Sequence, residues 1–251
     1  MLGRYLEGEL PPEIVLGCYY GSAGVPFRRC SAGSKGAAVR HLLQEASQHY
    51  EDAIEVLLRN EAHPSAELQA LESKLLRANY LYGSQLDPPG RYEKGKQSLE
   101  RLAAYASETT GAVTEVELLV QVADWDLMYS NNAAALNAYQ HAYDRVVQEG
   151  LGPDAIKRLF SPDPPVALPS FLPNPLVSQM TPQTRGFIDV SFEITRFGIS
   201  RRIKILDDAN ATEADKDRLA KTIANRRFRP RMEAGRFGAS RVMLRYFLSD
   251  E

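Results

Sequence analysis

Asp124 and Asp126 are the residues whose type and spacing most readily suggest chemistry, because they flank Trp125, the only tryptophan of the chain. Two carboxylates can divide general acid and base work when they face each other. On a helix, residues two apart point to different faces, so this pair is poorly placed for it. Trp125 itself is expected in the core. Four histidines, His41, His49, His63 and His141, are scattered with no Cys or second His at ligand spacing, so zinc is not expected. Gly33-Ser34-Lys35-Gly36 holds its lysine in the wrong register for a phosphate loop and reads more simply as a helix approach. The sequence contains no Gly-x-Ser-x-Gly elbow, no His-Glu-x-x-His and no Walker motif. It is therefore read as a non-enzyme without metal or cofactor.

Two other groups carry possible chemistry. Cys18 and Cys30, the only cysteines, bracket Tyr19-Tyr20 and the turn Gly21–Pro26. Two readings stand: a disulfide contributing about 3 kcal/mol through loop entropy in an oxidising compartment, or two free thiols. Arg226-Arg227-Phe228-Arg229-Pro230-Arg231 interleaves cations with an aromatic ring, as nucleic-acid binders do. Phe228 is nonetheless expected in the core, and nucleic acid is not among the expected partners.

The elements that must position these residues begin with charge. The 251 residues carry 30 Lys+Arg against 32 Asp+Glu, a net −2, with 44% apolar residues, which suits one large domain or two smaller ones. No apolar run reaches the roughly 18 residues that a membrane span requires. Met1-Leu2-Gly3-Arg4 is followed by Glu7, Glu9 and a Pro pair rather than an apolar stretch, so no leader is expected in this sequence. The small net charge is a near-cancellation. Residues 1–184 hold 15 basic and 22 acidic side chains, whereas residues 185–251 hold 15 basic and 10 acidic. Parts of opposite sign either dock on each other or select different partners.

Between them, Ser161 to Pro182 contains seven prolines and one charge, Asp163. Proline fixes φ and lacks a donor, so residues 161–184 are expected as an extended linker. Val166, Leu168, Phe171, Leu172, Leu176 and Val177 are too apolar for a free spacer, and part of it is expected to lie packed on a domain.

Residues 34–160 follow a 1–33 extension and read as helices. Apolar residues recur at helical spacing in Val39, Leu42, Leu43, Ala46, Tyr50, Ala53, Ile54 and Leu57, then over Leu68–Leu81, Tyr92–Ala106, Val113–Tyr129 and Ala133–Val147. Breaks at Asn60–Pro64, Gly83–Gly90, Ser107–Gly111 and Asn131-Asn132 separate five helices. Val116–Glu149 spans 34 residues. Within it, Ala123 supplies a small residue, and Ala135, Tyr139 and Ala142 give small-x3-aromatic-x2-small spacing. Ala46/Tyr50/Ala53 repeats that spacing, and Gly95/Leu99/Leu102 does so loosely. This looks like a tetratricopeptide-type array, in preference to a generic bundle. The resemblance implies an acidic concave surface that holds a protein or peptide.

In residues 185–251 the pattern changes to period two. Ile188, Val190, Phe192 and Ile194 alternate with polar residues over Phe187–Thr195, and Arg201–Leu206 forms a second strand. Thr212 is an N-cap with Asp215 three residues on, Leu219 and Ile223 form the buried stripe, and Arg226 and Arg227 close the helix. A hairpin around Gly235 and a last strand, Ser240–Leu248, follow. The order strand–Gly198 turn–strand–helix, then Phe228-Arg229-Pro230, Gly235 and an apolar final strand, resembles the C-terminal domain of the TonB family of periplasmic proteins. The classical membrane helix and long charged spacer of that family are absent here, and the helical array stands in their place.

The resemblance implies an α+β multidomain protein: an antiparallel helical repeat array followed by a small β-β-α-β domain. It implies a non-catalytic periplasmic adaptor or scaffold of the cell envelope. Its last strand would pair with an extended partner through Arg241, Val242, Met243, Leu244, Arg245 and Tyr246, by β-augmentation. The arginines would favour an acidic partner and protect the edge. The same strand could form a homodimer. The alternative is an envelope factor whose basic tail binds cell-wall glycan or another anionic partner.

Overall fold

The computed structural model describes residues 90–249 except 110, 171–173 and 179, together with residues 45, 47–56, 59, 72 and 75. Helix α1 (Gly90–Thr109) buries Leu99, Leu102, Ala103 and Ala106 on one stripe. It packs on α2 (Ala112–Met128), whose later turns are buried on nearly every side from Val120 to Leu127. A helix so enclosed must be central, and α2 is flanked on its other side by α3 (Asn132–Gln148). There Ala135, Tyr139, Ala142 and Val146 face α2, the two alanines allowing the backbones to approach. Gly95 serves the same end on α1: a Cβ there would sit 2.1 Å from Cζ2 of Trp125. Trp125 is 1% exposed, as expected of a core residue.

Residues 34–160 read as helical, but none of the periodic runs picked out there extends past Val147. The structure adds α4 (Gly152–Phe160), nine residues long, with Pro153 in its first turn where a missing N–H costs nothing. Its Leu159 and Phe160 complete the helical core.

The tail is a three-stranded antiparallel sheet in the order β2-β1-β5, with β1 (Thr184–Ile194) central, β2 (Ser200–Ala209) on one side and β5 (Ser240–Ser249) on the other. Helix α5 (Glu213–Ala224) and a short hairpin, β3 (Met232–Glu233) and β4 (Arg236–Phe237), lie between β2 and β5 in sequence. Ile188, Val190, Phe192 and Ile194 of β1 form the centre of a second core with Val242, Leu248, Leu219, Ile223 and Phe228. The whole is mixed helix and antiparallel sheet, an α+β arrangement. Both strands run beyond the expected ranges, β1 starting at Thr184 and β2 ending at Ala209.

Arg226 and Arg227 do not close the helix as the sequence suggests. Helix α5 ends at Ala224 with Asn225 as C-cap, and Arg227 forms an isolated bridge with Ile199. The reason lies in the proline-rich stretch. Leu168 N donates to Arg227 O at 2.8 Å, Arg229 N donates to Val166 O at 2.9 Å, and Ala167 bridges to Phe228. Residues 227–229 are thus drawn into strand-like pairing instead of a last helical turn. Successive residues of the proline-rich stretch enter different cores: Ala167 and Leu176 pack with the sheet, Leu168 with the helices. The described part of it is a packed seam between helices and sheet rather than a spacer.

The start of α5 is a complete capping box. Thr212 Oγ1 accepts from Asp215 N at 3.2 Å, and the Asp215 carboxylate accepts from Thr212 N at 2.9 Å and Oγ1 at 2.7 Å. Arg185 adds an ion pair at 2.8 Å. Arg185 first, then Thr212, hold the Asp215 carboxyl well below the usual carboxylate range. A depressed folded pKa contributes stability that is whole above the unfolded value of about 3.9 and is lost as pH falls through the folded one. Thr212→Ala should therefore cost about 1 kcal/mol near neutrality. It should also flatten the acid loss below about pH 4, as urea melts across that range would report. An unchanged acid slope would count against the cap.

Candidate functional site

The six residues singled out on the last strand all lie on β5, at one edge of the sheet. Antiparallel pairing alternates: every second residue exchanges hydrogen bonds with its neighbour strand, and the residues between direct their backbone groups outward. Phe247 N donates to Ser178 Oγ at 2.7 Å, away from β1, which fixes the phase. The pairing of β5 with β1 is unbroken from Leu248↔Gly186 to Ser240↔Ile194. Tyr246, Leu244 and Val242 therefore bond inward to Ile188, Val190 and Phe192, while Arg245, Met243 and Arg241 present N–H and C=O outward. Among the described residues no strand covers that edge.

The two edges of the sheet differ. Against β2, the register of β1 slips between Asp189 and Val190 and again between Ser191 and Glu193, and Arg202 takes a positive φ of 53°. Bulges of this kind twist an edge away from further pairing. The β5 pairing has no such interruption between Ser240 and Leu248; its one register shift lies between Thr184 and Gly186.

Side chains divide between the faces with the same phase. Val242, Leu244, Tyr246 and Leu248 turn toward the core, with Leu244 and Tyr246 only half-buried. Arg241, Met243 and Arg245 lie on the open face, and Met243 is 64% exposed. The two arginines are not equivalent. Arg245 grips Asp189 through two bonds of 2.8 and 2.7 Å, and its guanidinium lies 3.9 Å from the centroid of the Phe187 ring. Arg245 in turn holds the Asp189 carboxyl below its ordinary pKa. Of the arginines of this strand, Arg245 is thus already paired within the sheet. Arg241 is exposed, with no ion pair among the described residues.

The cationic run Arg226–Arg231 is dispersed by the fold. Phe228 is fully buried. Arg227 donates to Phe197 O and Ser130 Oγ, and Arg231 to Pro162 O. Arg229 is only 7% exposed, and bonds Asp124 through Nε at 3.0 Å and Nη2 at 2.6 Å. Tyr139 donates to the same carboxylate at 2.5 Å. Burial works against the charge of Arg229, but Asp124 more than offsets it and raises its pKa. Burial, then Asp124, pushes the Tyr139 hydroxyl well above its usual value. Arg229 is thus an internal clasp that joins the tail to the helices.

Asp124 and Asp126 do point apart. Asp126 turns to α1, where Lys96 lies 3.1 Å away and Tyr92 donates to it. Trp125 Nε1 donates to Tyr92 O at 3.0 Å. Each carboxylate is satisfied by its own cation, and no acid–base pair results. Among the described residues, no group of three or more His, Cys, Asp or Glu is arranged to hold a metal ion, and no helix is long and apolar enough to cross a membrane. Cys18, Cys30 and Ala46 lie outside the described residues. The contributions of Ser178 and Asp189 have no sequence signal, since both depend on strand register. No family model matches the chain, and comparison with the curated proteins and with the solved structures gave no match.

Proposed function

We propose that the chain is a non-catalytic, periplasmic adaptor of the cell envelope, combining a tetratricopeptide-like helical array with a TonB-like tail that captures an extended segment of a partner protein on β5. The observation that carries this reading is the continuous outward edge at Arg241, Met243 and Arg245, beside a second edge blunted by bulges. Main-chain bonding supplies affinity in such pairing, and the alternating side chains supply selectivity. The helical part contributes a rigid seat and a partner surface of its own. Its α2–α4 side is filled by Leu168, Met232 and Phe237, so a protein bound to the array uses another face.

Met243→Pro is the cleanest test. Met243 N–H faces outward, so proline removes a donor from the free edge without breaking the ladder to β1. The variant should keep its fold by circular dichroism and lose capture of envelope proteins that the wild-type chain retains from a periplasmic extract. Undiminished capture of the same proteins by a folded Met243→Pro chain would refute edge pairing.

A further inference from the structure

The β3–β4 hairpin is anchored by one face only. Met232 is buried in the helical core, and Phe237 meets the Tyr139 ring edge-on, with centroids 6.2 Å apart. These two residues pair across the hairpin, so the next pair, Glu233 and Arg236, lies on its other face. Both are exposed, and neither makes an ion pair among the described residues. Beside them is a cavity of about 230 Å³, bordered by Arg231, Glu233, Arg236, Phe237 and Ser240. Gly238 also borders it, and a Cβ added there would meet nothing within 4 Å. Two buried polar atoms of the bordering residues lack a hydrogen-bond partner, Arg231 Nε and Ser240 Oγ. Such atoms are few in folded proteins, because each has given up its bonds to water for nothing in return. Nη2 of Arg231 donates to Pro162 O at 2.8 Å and anchors the guanidinium, which leaves Nε and Nη1 for a ligand.

Charge and size set the class of ligand. Two arginines against one glutamate leave a single positive charge around the cavity. Asp163 lies 3.8 Å from Arg231 but is 76% exposed, so its charge is screened. That balance suits a monoanion better than the nearly double charge of a phosphate group. A guanidinium edge also matches a planar carboxylate in shape. The volume falls short of the about 300 Å³ at which pockets for drug-sized molecules begin, so an end group fits and a large molecule does not.

We propose that this cavity binds a carboxylate end group, held by Arg231 and Arg236, with Ser240 as a further donor and Phe237 as the apolar wall. Rotation about one bond turns the Ser240 hydroxyl to the ligand, and a small tilt of the anchored guanidinium turns Nε. Glu233 opposes a second negative charge. The carboxylate belongs either to a small acid or to the C-terminus of a peptide. The site uses none of the outward backbone groups of β5, so it is independent of the pairing proposed above.

The test is an NMR titration of the isotope-labelled full chain at constant ionic strength. The probes are propionate, N-acetyl-trialanine with a free C-terminus, its C-terminal amide, and inorganic phosphate. Both carboxylates should shift the amides of residues 236–240, and the amide and phosphate should bind about tenfold more weakly. Tighter binding of the tripeptide than of propionate would assign the site to a chain terminus, and the reverse or equality to a small acid. Arg236→Gln should weaken either carboxylate about tenfold and Ser240→Ala about threefold, whereas Glu233→Gln should strengthen it. Because Ser240→Ala removes an unpaired hydroxyl, it should leave the melting temperature of the ligand-free chain unchanged or raised. A lowered melting temperature would show that hydroxyl already serving the fold, and would overturn its role as a donor to the ligand. Phosphate bound as tightly as the carboxylates would overturn the assignment of a carboxylate. No shifts at residues 236–240, or binding untouched by Arg236→Gln and Ser240→Ala, would overturn the site itself.

Discussion

Arg229→Met is expected to lower the stability of the chain by about 3–5 kcal/mol, because it strands a buried carboxylate. Asp124 is 3% exposed and receives Arg229 through two bonds on one side and the Tyr139 hydroxyl on the other. Methionine matches the guanidinium stem in volume but leaves Asp124 with a single neutral donor. Lysine should rescue little, since a point charge cannot reproduce the two-pronged contact. The double variant Asp124→Leu/Arg229→Met should recover much of the loss, because an ion pair replaced by apolar groups no longer carries the desolvation penalty. Urea unfolding of the three variants reads this directly. A loss below about 1 kcal/mol in Arg229→Met would mean that the clasp is not desolvated. The clasp links α2, α3 and the segment after α5, so helices and sheet should unfold in one transition in wild type.

Gly198→Ala should cost about 2–4 kcal/mol from two independent causes. Gly198 has a φ of 69°, where a Cβ is disfavoured, and that Cβ would lie 2.1 Å from the Phe228 carbonyl oxygen. The oxygen cannot retreat easily. Phe228 N donates to Gly198 O at 2.9 Å, and the Phe228 ring is fixed in the sheet core against Phe192. The alanine would also press on Leu127 of α2, 3.0 Å away, so the strain reaches the helical side of the seam. Gly238→Ala is the matched control, with nothing within 4 Å of the added carbon, and should be nearly neutral. Equal melting temperatures for the two variants would contradict this account of the turn.

What the sequence makes legible follows from the range of the forces involved. Ile188, Val190, Phe192 and Ile194 announce a half-buried strand because alternation is a property of neighbours. Thr212 and Asp215 announce a helix start because a capping box closes over three residues. Ala135, Tyr139 and Ala142 lie on one face of α3, as their spacing requires. The Asp124–Arg229 pair spans 105 residues, and no local pattern identifies either member as the other's counter-ion. Arg245 looks like a free charge until the register of β5 against β1 sets it opposite Asp189. The same holds for α5: the dipole argument for Arg226 and Arg227 is sound locally, but pairing with residues 166–168 outweighs it. The proline-rich stretch was legible in its lack of helix and in its apolar residues, and only the fold shows that those residues serve two cores at once.

Amide hydrogen exchange along β5 of the monomeric chain, followed residue by residue by NMR, bears most directly on the outward edge. The amides of Val242, Leu244 and Tyr246 bond to β1 and should be protected, whereas those of Arg241, Met243 and Arg245 should exchange orders of magnitude faster, with Phe247 slowed by Ser178. Slow exchange at every one of these positions would show the edge already covered, and would contradict its assignment as the surface that receives a partner.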